Sequence, residues 1–110
     1  MAGRAEFWIV TFDLEAVLDF EKVKGRGERR AVFNALDKLR SLGPSLPSPH
    51  AKSLKGEPRI LELRPRQGNS PVRVLYCRIG GGFVVLAVAF PKDRFDDALS
   101  KAKFRLRRYS

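Results

Sequence analysis

The stretch "VRVLYCRIGGGFVVLAVAF", residues 72–90, decides the fold. Two runs rich in β-branched and aromatic residues flank Gly80-Gly81-Gly82, the composition of a hairpin turn, so the runs pair antiparallel. The second run, Phe83 to Phe90, is apolar on both faces and therefore reads as a central strand covered on each side. Immediately upstream, "RILELR" (59–64) alternates, with Leu61 and Leu63 on one face and Ile60, Glu62 and Arg64 on the other. A third strand follows from that period.

Further from this centre the pattern changes. "FWIVTFDL" (7–14) mixes aromatic and β-branched residues and reads as a strand, and "EAVLDFEKV" carries a short helical pattern up to a turn at "KGRG". From Glu28 to Leu42, Val32, Ala35, Leu36, Leu39 and Leu42 recur at helical spacing until Gly43-Pro44 stops the helix. "PSLPSPHAKSLKGEP" (44–58) holds four of the seven prolines, which remove backbone donors, so it is expected to be a surface loop. At the other end, "FDDALSKAKFRLRRY" (95–109) sets Phe95, Leu99, Ala102, Leu106 and Tyr109 on one stripe, with Lys101, Lys103, Arg105, Arg107 and Arg108 mostly off it. The expected order is strand, helix, helix, strand, strand, strand, helix: a small α+β domain with helices packed on an antiparallel-rich sheet, spanning 1–110 as one unit.

Charge narrows the function classes. The chain has 22 Lys+Arg against 12 Asp+Glu, a net +10, with net +1 over residues 1–40 and net +9 over 41–110. Regional basicity of this kind is the footprint of a nucleic-acid binder, because clustered cations release counterions from phosphate; attraction to an acidic protein is the competing reading. The longest apolar run has eight residues and the first residues carry no stretch of signal-peptide length, so a cytoplasmic protein without a membrane span is expected. One His and one Cys are too few for a zinc site or a Cys–His nucleophile pair, and "KGRGER" lacks the spacing of a phosphate loop. No metal and no cofactor are implied.

The two strand arginines ask for an explanation. Arg64 and Arg73 stand in the most strand-like segments with only Glu62 nearby. On the face opposite Leu61 and Leu63, one register brings Arg73 beside Glu62 and Arg64, where the planar guanidinium groups would line a concavity suited to phosphate oxygens. An Arg–Glu62 ion pair on a partly exposed sheet face is the plainer alternative.

Four pieces, "PSPHAKSLKG", "LELRP", "VRVLY" and "VVLAVAFPKD", occur in this order and are followed by a helix of alanines and basic residues. In that ordered set, over roughly residues 6–109, the sequence resembles the RelE/HigB superfamily of bacterial toxins, in particular the phage-derived Gp49-like branch. The resemblance implies a microbial-RNase-like fold, entry into the ribosomal A site and cleavage of messenger RNA. It also implies silencing by a HigA-like helix-turn-helix antitoxin encoded alongside. Metal-independent cleavage would use the substrate's 2′-hydroxyl as nucleophile, with a base, an acid and cations supplied by the protein. On this resemblance Arg73 contacts the scissile phosphate, Arg64 is a neighbouring basic strand position, and Lys92 follows the last strand. Lys52 and Lys55 border the cleft, and Arg66 and Arg105 add RNA-backbone contacts. Asp93 stands where many relatives carry a second basic residue, and the acid/base pair is open among Asp93, Tyr109 and His50. Each has a plain alternative: Asp93 as a helix N-cap, Tyr109 as core, His50 as an exposed loop residue. Arg73→Ala is expected to abolish activity with little loss of folding. Two other classes remain, a ParE-like gyrase inhibitor and a basic nucleic-acid-binding module.

Overall fold

The computed structural model describes residues 7–54 and 56–109. Five strands form one sheet: β1 (Ile9–Phe12), β2 (Ala51–Leu54), β3 (Glu57–Leu63), β4 (Arg73–Ile79) and β5 (Gly82–Ala89). Their spatial order is β1-β5-β4-β3-β2, with β1 parallel to β5 and every other pair antiparallel. Helices α1 (Leu14–Glu21) and α2 (Arg26–Leu42) cover one face, and α3 (Phe95–Leu106) covers the other.

The expected hairpin and central strand are present. β5 is buried along its whole length, between β1 and β4 and beneath helices on both faces. A bulge lies where Leu75 pairs Ala87 and Tyr76 pairs Val85, so β5 holds one extra residue, Leu86. Leu86 and Ala87 therefore both join the core under α3, while Val85 and Val88 join the core under α1 and α2.

Helix α2 buries Ala31, Val32, Ala35, Leu36 and Leu39, and Leu42, expected on this stripe, is exposed in its last turn. The helix stops at Gly43, whose φ of +55° is poorly tolerated by other residues and whose missing Cβ would stand 2.3 Å from Trp8 Nε1. Pro44 follows. At the other end of the topology, Asp13 caps α1 by accepting the Glu15 amide at 2.9 Å.

Two expectations need correction. The segment 44–58 is not loop throughout: once Pro47 and Pro49 are passed, Ala51–Leu54 pairs with β3 as the edge strand β2. Four residues with a mixed burial pattern carry no period to read. The second concerns α3, where Arg105 lies on the buried face, side-chain exposure 7%. Beyond Phe12, β1 no longer covers the edge of β5, and Asp19 and Arg105 take over its backbone groups. The Val88 amide donates to Asp19 Oδ2 (3.3 Å), Arg105 Nη1 donates to the Leu86 carbonyl (2.9 Å), and the two side chains pair at 2.6 Å. A helix from each layer thus seals one strand edge.

Candidate functional site

The face of β3 carrying Glu62 turns toward α3, as the alternation predicts, and Leu61 and Leu63 turn toward α1 and α2. Leu63 pairs with Val74; carrying that register one residue on sets Arg64 across from Arg73. Glu62, two residues before Arg64 and on the same face, lies between the two arginine side chains. Its Oε2 is 3.1 Å from Arg73 Nε and 3.9 Å from Arg64 Nε.

Arg73 is almost fully buried, and most of its hydrogen-bonding capacity is committed. Nη1 donates to the carbonyls of Ser70 (2.8 Å) and Val72 (2.9 Å), and Nη2 to that of Gly68 (3.0 Å). With Nε on Glu62, four of the five donor directions of a guanidinium are taken up inside the fold. Burial and the charge of Arg64 hold the Arg73 pKa below the ordinary arginine value, against the opposing pull of Glu62. Arg64 is less well held: its Nε is buried with no hydrogen-bond partner.

Above this pair opens a cleft lined by Lys52, Ser53, Leu54, Glu62, Arg73, Lys92 and Phe95. Lys52 is the direct cross-strand neighbour of Glu62, and Lys92 arrives from the turn between β5 and α3. Both lysines are exposed. The cleft therefore has exposed cations at its rim and a carboxylate paired with arginine at its floor. Such a site can hold a phosphodiester and receive a proton beside it.

The other residues named from sequence go elsewhere. His50, Arg64 and Arg66 line a separate groove against α2, together with Arg30 and Lys38. Arg66 is tethered there, donating to Glu28 Oε2 and to the Gly27 carbonyl, each at 3.1 Å. Asp93 is exposed in the turn before α3, and the residue capping that helix is Arg94, so Asp93 is not its N-cap. Tyr109 donates to Asp13 Oδ2 at 2.7 Å, and burial together with that bond pushes its pKa up to about 12. Arg105 is occupied by Asp19, as described above. Neither Tyr109 nor Arg105 lines the cleft. Lys55 falls outside the described residues.

From the sequence alone Glu62 reads only as a counter-charge. The signal was present in the alternation of "RILELR", which places Glu62 on the same face as Arg64. What was not visible is β2: only its pairing brings Lys52 against Glu62 and turns an ion pair into a cleft.

Fold and cleft together define a small basic domain with the architecture of RelE toxins. Over residues 20–107 the chain matches the family described as "Phage derived protein Gp49-like", and it belongs to that family. Among solved structures it is similar to a double arginine-to-alanine mutant of the E. coli toxin RelE in the free state: 20% identity, TM-score 0.69, covering 91% of this chain and 98% of that one. The same mutant bound to a peptide of the antitoxin RelB aligns at 21% identity and TM-score 0.58, over 83% of this chain and 93% of that one. RelE of the archaeal RelE–RelB complex from Pyrococcus horikoshii aligns at 19% identity and TM-score 0.56, over 79% and 97%. No curated protein matches the chain. No helix among the described residues is long and apolar enough to cross a membrane.

Proposed function

We propose that this chain is the toxin of a type II toxin–antitoxin pair, a cytoplasmic endoribonuclease that cuts messenger RNA on the ribosome. The observation that carries the reading is the Glu62 carboxylate, set against Arg73 at the floor of a cleft whose rim bears Lys52 and Lys92. Membership of the Gp49-like family and the RelE fold support the toxin class. By analogy with the relatives solved with antitoxins, the partner is an antitoxin, of helix-turn-helix type in the HigB branch.

In this mechanism the RNA phosphate lies between Lys52 and Lys92, with the 2′-hydroxyl toward Glu62. Glu62 takes the hydroxyl proton as the 2′-oxygen attacks phosphorus. The bond from phosphorus to the 5′-oxygen breaks, giving a 2′,3′-cyclic phosphate and a 5′-hydroxyl whose proton comes from solvent. The lysines offset the charge that builds on the equatorial oxygens, and Arg73 keeps Glu62 aimed while adding positive potential from below. Arg73 thus supports the site chiefly through Glu62, a narrower role than direct grip of the phosphate, because most of its donors are spent internally.

The test is induction of the chain in bacteria without its neighbouring gene, with primer extension on translated and untranslated copies of one messenger. Cleavage confined to translated copies establishes the activity. Growth arrest with intact messages redirects the reading to a topoisomerase or another protein target, and a soluble preparation with no effect leaves a binding module.

A further inference from the structure

Glu28 stands in the first turn of α2, on the far side of the β3–β4 connection from the cleft. Both of its carboxylate oxygens are taken by residues outside its own helix. The carboxylate reaches the connection. Oε1 accepts the Ser70 hydroxyl at 2.8 Å, and Oε2 accepts Arg66 Nη1 at 3.1 Å.

The two residues it holds frame the carbonyls that grip Arg73. Ser70 Oγ, already donating to Glu28, accepts the Val72 amide at 3.1 Å, and the Ser70 carbonyl accepts Arg73 Nη1. Between Arg66 and Ser70 lies Gly68, whose carbonyl accepts Arg73 Nη2. This turn is strained: Arg66 and Gln67 both have left-handed backbones, with φ of 52° and 56°. Non-glycine residues keep such a conformation only where surrounding contacts over-determine it. Glu28 holds the turn at Arg66 itself and again at Ser70, three residues past Gln67, and so fixes it from outside.

We infer that Glu28 is the positioning residue for the Arg73–Glu62 pair, holding the 65–70 turn in the one shape that presents the Gly68 and Ser70 carbonyls to Arg73. The non-covalent contacts along the path from Glu28 through Ser70 to Arg73 and on to Glu62 are 2.8, 2.8 and 3.1 Å long. Glu28 touches neither the cleft nor any substrate bound in it. Its catalytic consequence rests on Glu62 acting as the base, whereas its hold on Arg73 does not.

The experiment compares wild type, Glu28→Ala and Glu28→Gln at a temperature where all three are folded. Glutamine keeps an acceptor for Ser70 but not the charge on Arg66. Solvent exchange of the Arg73 Nε–H proton, followed by NMR, reads the position of Arg73. Single-turnover cleavage of a translated messenger, against its concentration dependence, reads the chemistry. Glu28→Ala is expected to speed exchange at least tenfold and slow cleavage at least tenfold with half-saturation within twofold of wild type. Glu28→Gln should recover most of both. Exchange in Glu28→Ala within twofold of wild type overturns the positioning role, as does a cleavage loss that follows half-saturation alone. Faster exchange with unchanged cleavage refutes the catalytic consequence. Should wild type cleave nothing, the proposed function falls while the exchange measurement still decides whether Glu28 positions Arg73.

Discussion

Arg73 Nε lies 3.1 Å from Glu62 Oε2 on the adjacent strand, and the two side chains are only 6% and 12% exposed. In the proposed mechanism a pair so placed is structural and chemical at once, and substitutions separate the two parts. Glu62→Gln keeps the size and a partner for Arg73 but removes the base, so cleavage should fall ~10²–10⁴-fold, the usual contribution of general-base catalysis. Arg73→Ala leaves Glu62 without its closest partner and three carbonyls without donors, and breaking a buried pair from one side costs about 3–5 kcal/mol. Chemical denaturation followed by circular dichroism should therefore show Arg73→Ala strongly destabilised and Glu62→Gln less so, because the glutamine oxygen can still accept from Arg73 Nε. This reverses the sequence-based expectation that Arg73→Ala would spare folding. Retained cleavage in folded Glu62→Gln removes Glu62 from the mechanism.

Lys52 and Lys92 form the exposed rim of the same cleft, so their contribution is electrostatic. Removing one phosphate contact lowers the salt dependence of single-strand binding by about 0.7 in the slope of log affinity against log salt. Lys52→Ala and Lys92→Ala should each weaken RNA binding and flatten that slope by this amount, and the double variant by about twice as much. Equal slopes in fluorescence anisotropy titrations across 50–200 mM salt would show that the rim does not touch phosphate.

How far the chain could be read from its letters depends on the kind of signal each element carries. β4, β5 and α2 were legible because a long apolar run, a triglycine turn and a 3.6-residue period each leave a pattern in the sequence itself. β2 was not, since four residues beside prolines gain their conformation from the edge of β3. The parallel placement of β1 against β5 is likewise a tertiary fact. In the site, alternation put Glu62 and Arg64 on one face, yet nothing local distinguishes an arginine that binds its own loop carbonyls from one that awaits a phosphate. Arg105 and Tyr109 show the same limit: their partners Asp19 and Asp13 lie 86 and 96 residues away.

The chain's two tyrosines, Tyr76 and Tyr109, offer a direct check on packing. Burial pushes Tyr76 up to about 12, and burial with the Asp13 bond pushes Tyr109 to about 12. Both lie above the ordinary value of 10.0. A raised folded pKa contributes stability that is fully present below pH 10 and lost as pH rises toward 12. Tyrosinate absorbance should thus stay near zero through pH 10 in the folded protein and appear as unfolding begins. Asp13→Asn should release Tyr109 alone, bringing half the signal to lower pH. A full two-tyrosine transition near pH 10 in folded wild type contradicts the packing at both sites.

Asp13 predicts the acid side. It is buried at the start of α1, where Arg108 Nη1 approaches Oδ2 at 2.8 Å and Tyr109 donates to the same oxygen. Arg108 Nη2 also pairs with Glu15. Burial alone would raise the Asp13 pKa, but the bonds from Tyr109, the Glu15 amide and Arg108 outweigh it and hold the carboxyl below its ordinary 3.8. A group depressed on folding contributes stability that is whole above the unfolded value and drains away as pH falls through the folded one. Wild type should therefore exceed Asp13→Asn in urea midpoint at pH 7, and the gap should narrow below pH 3.8 as the carboxylate takes up its proton. The same acidification should loosen the C-terminal turn, because Arg108 and Tyr109 both anchor on this one carboxylate. Protection from amide exchange at residues 107–109, taken relative to the unstructured rate at each pH, would then fall below pH 3.8 ahead of the core strands. A gap that stays constant from pH 7 to pH 2 would show that Asp13 holds these residues by shape and not by charge.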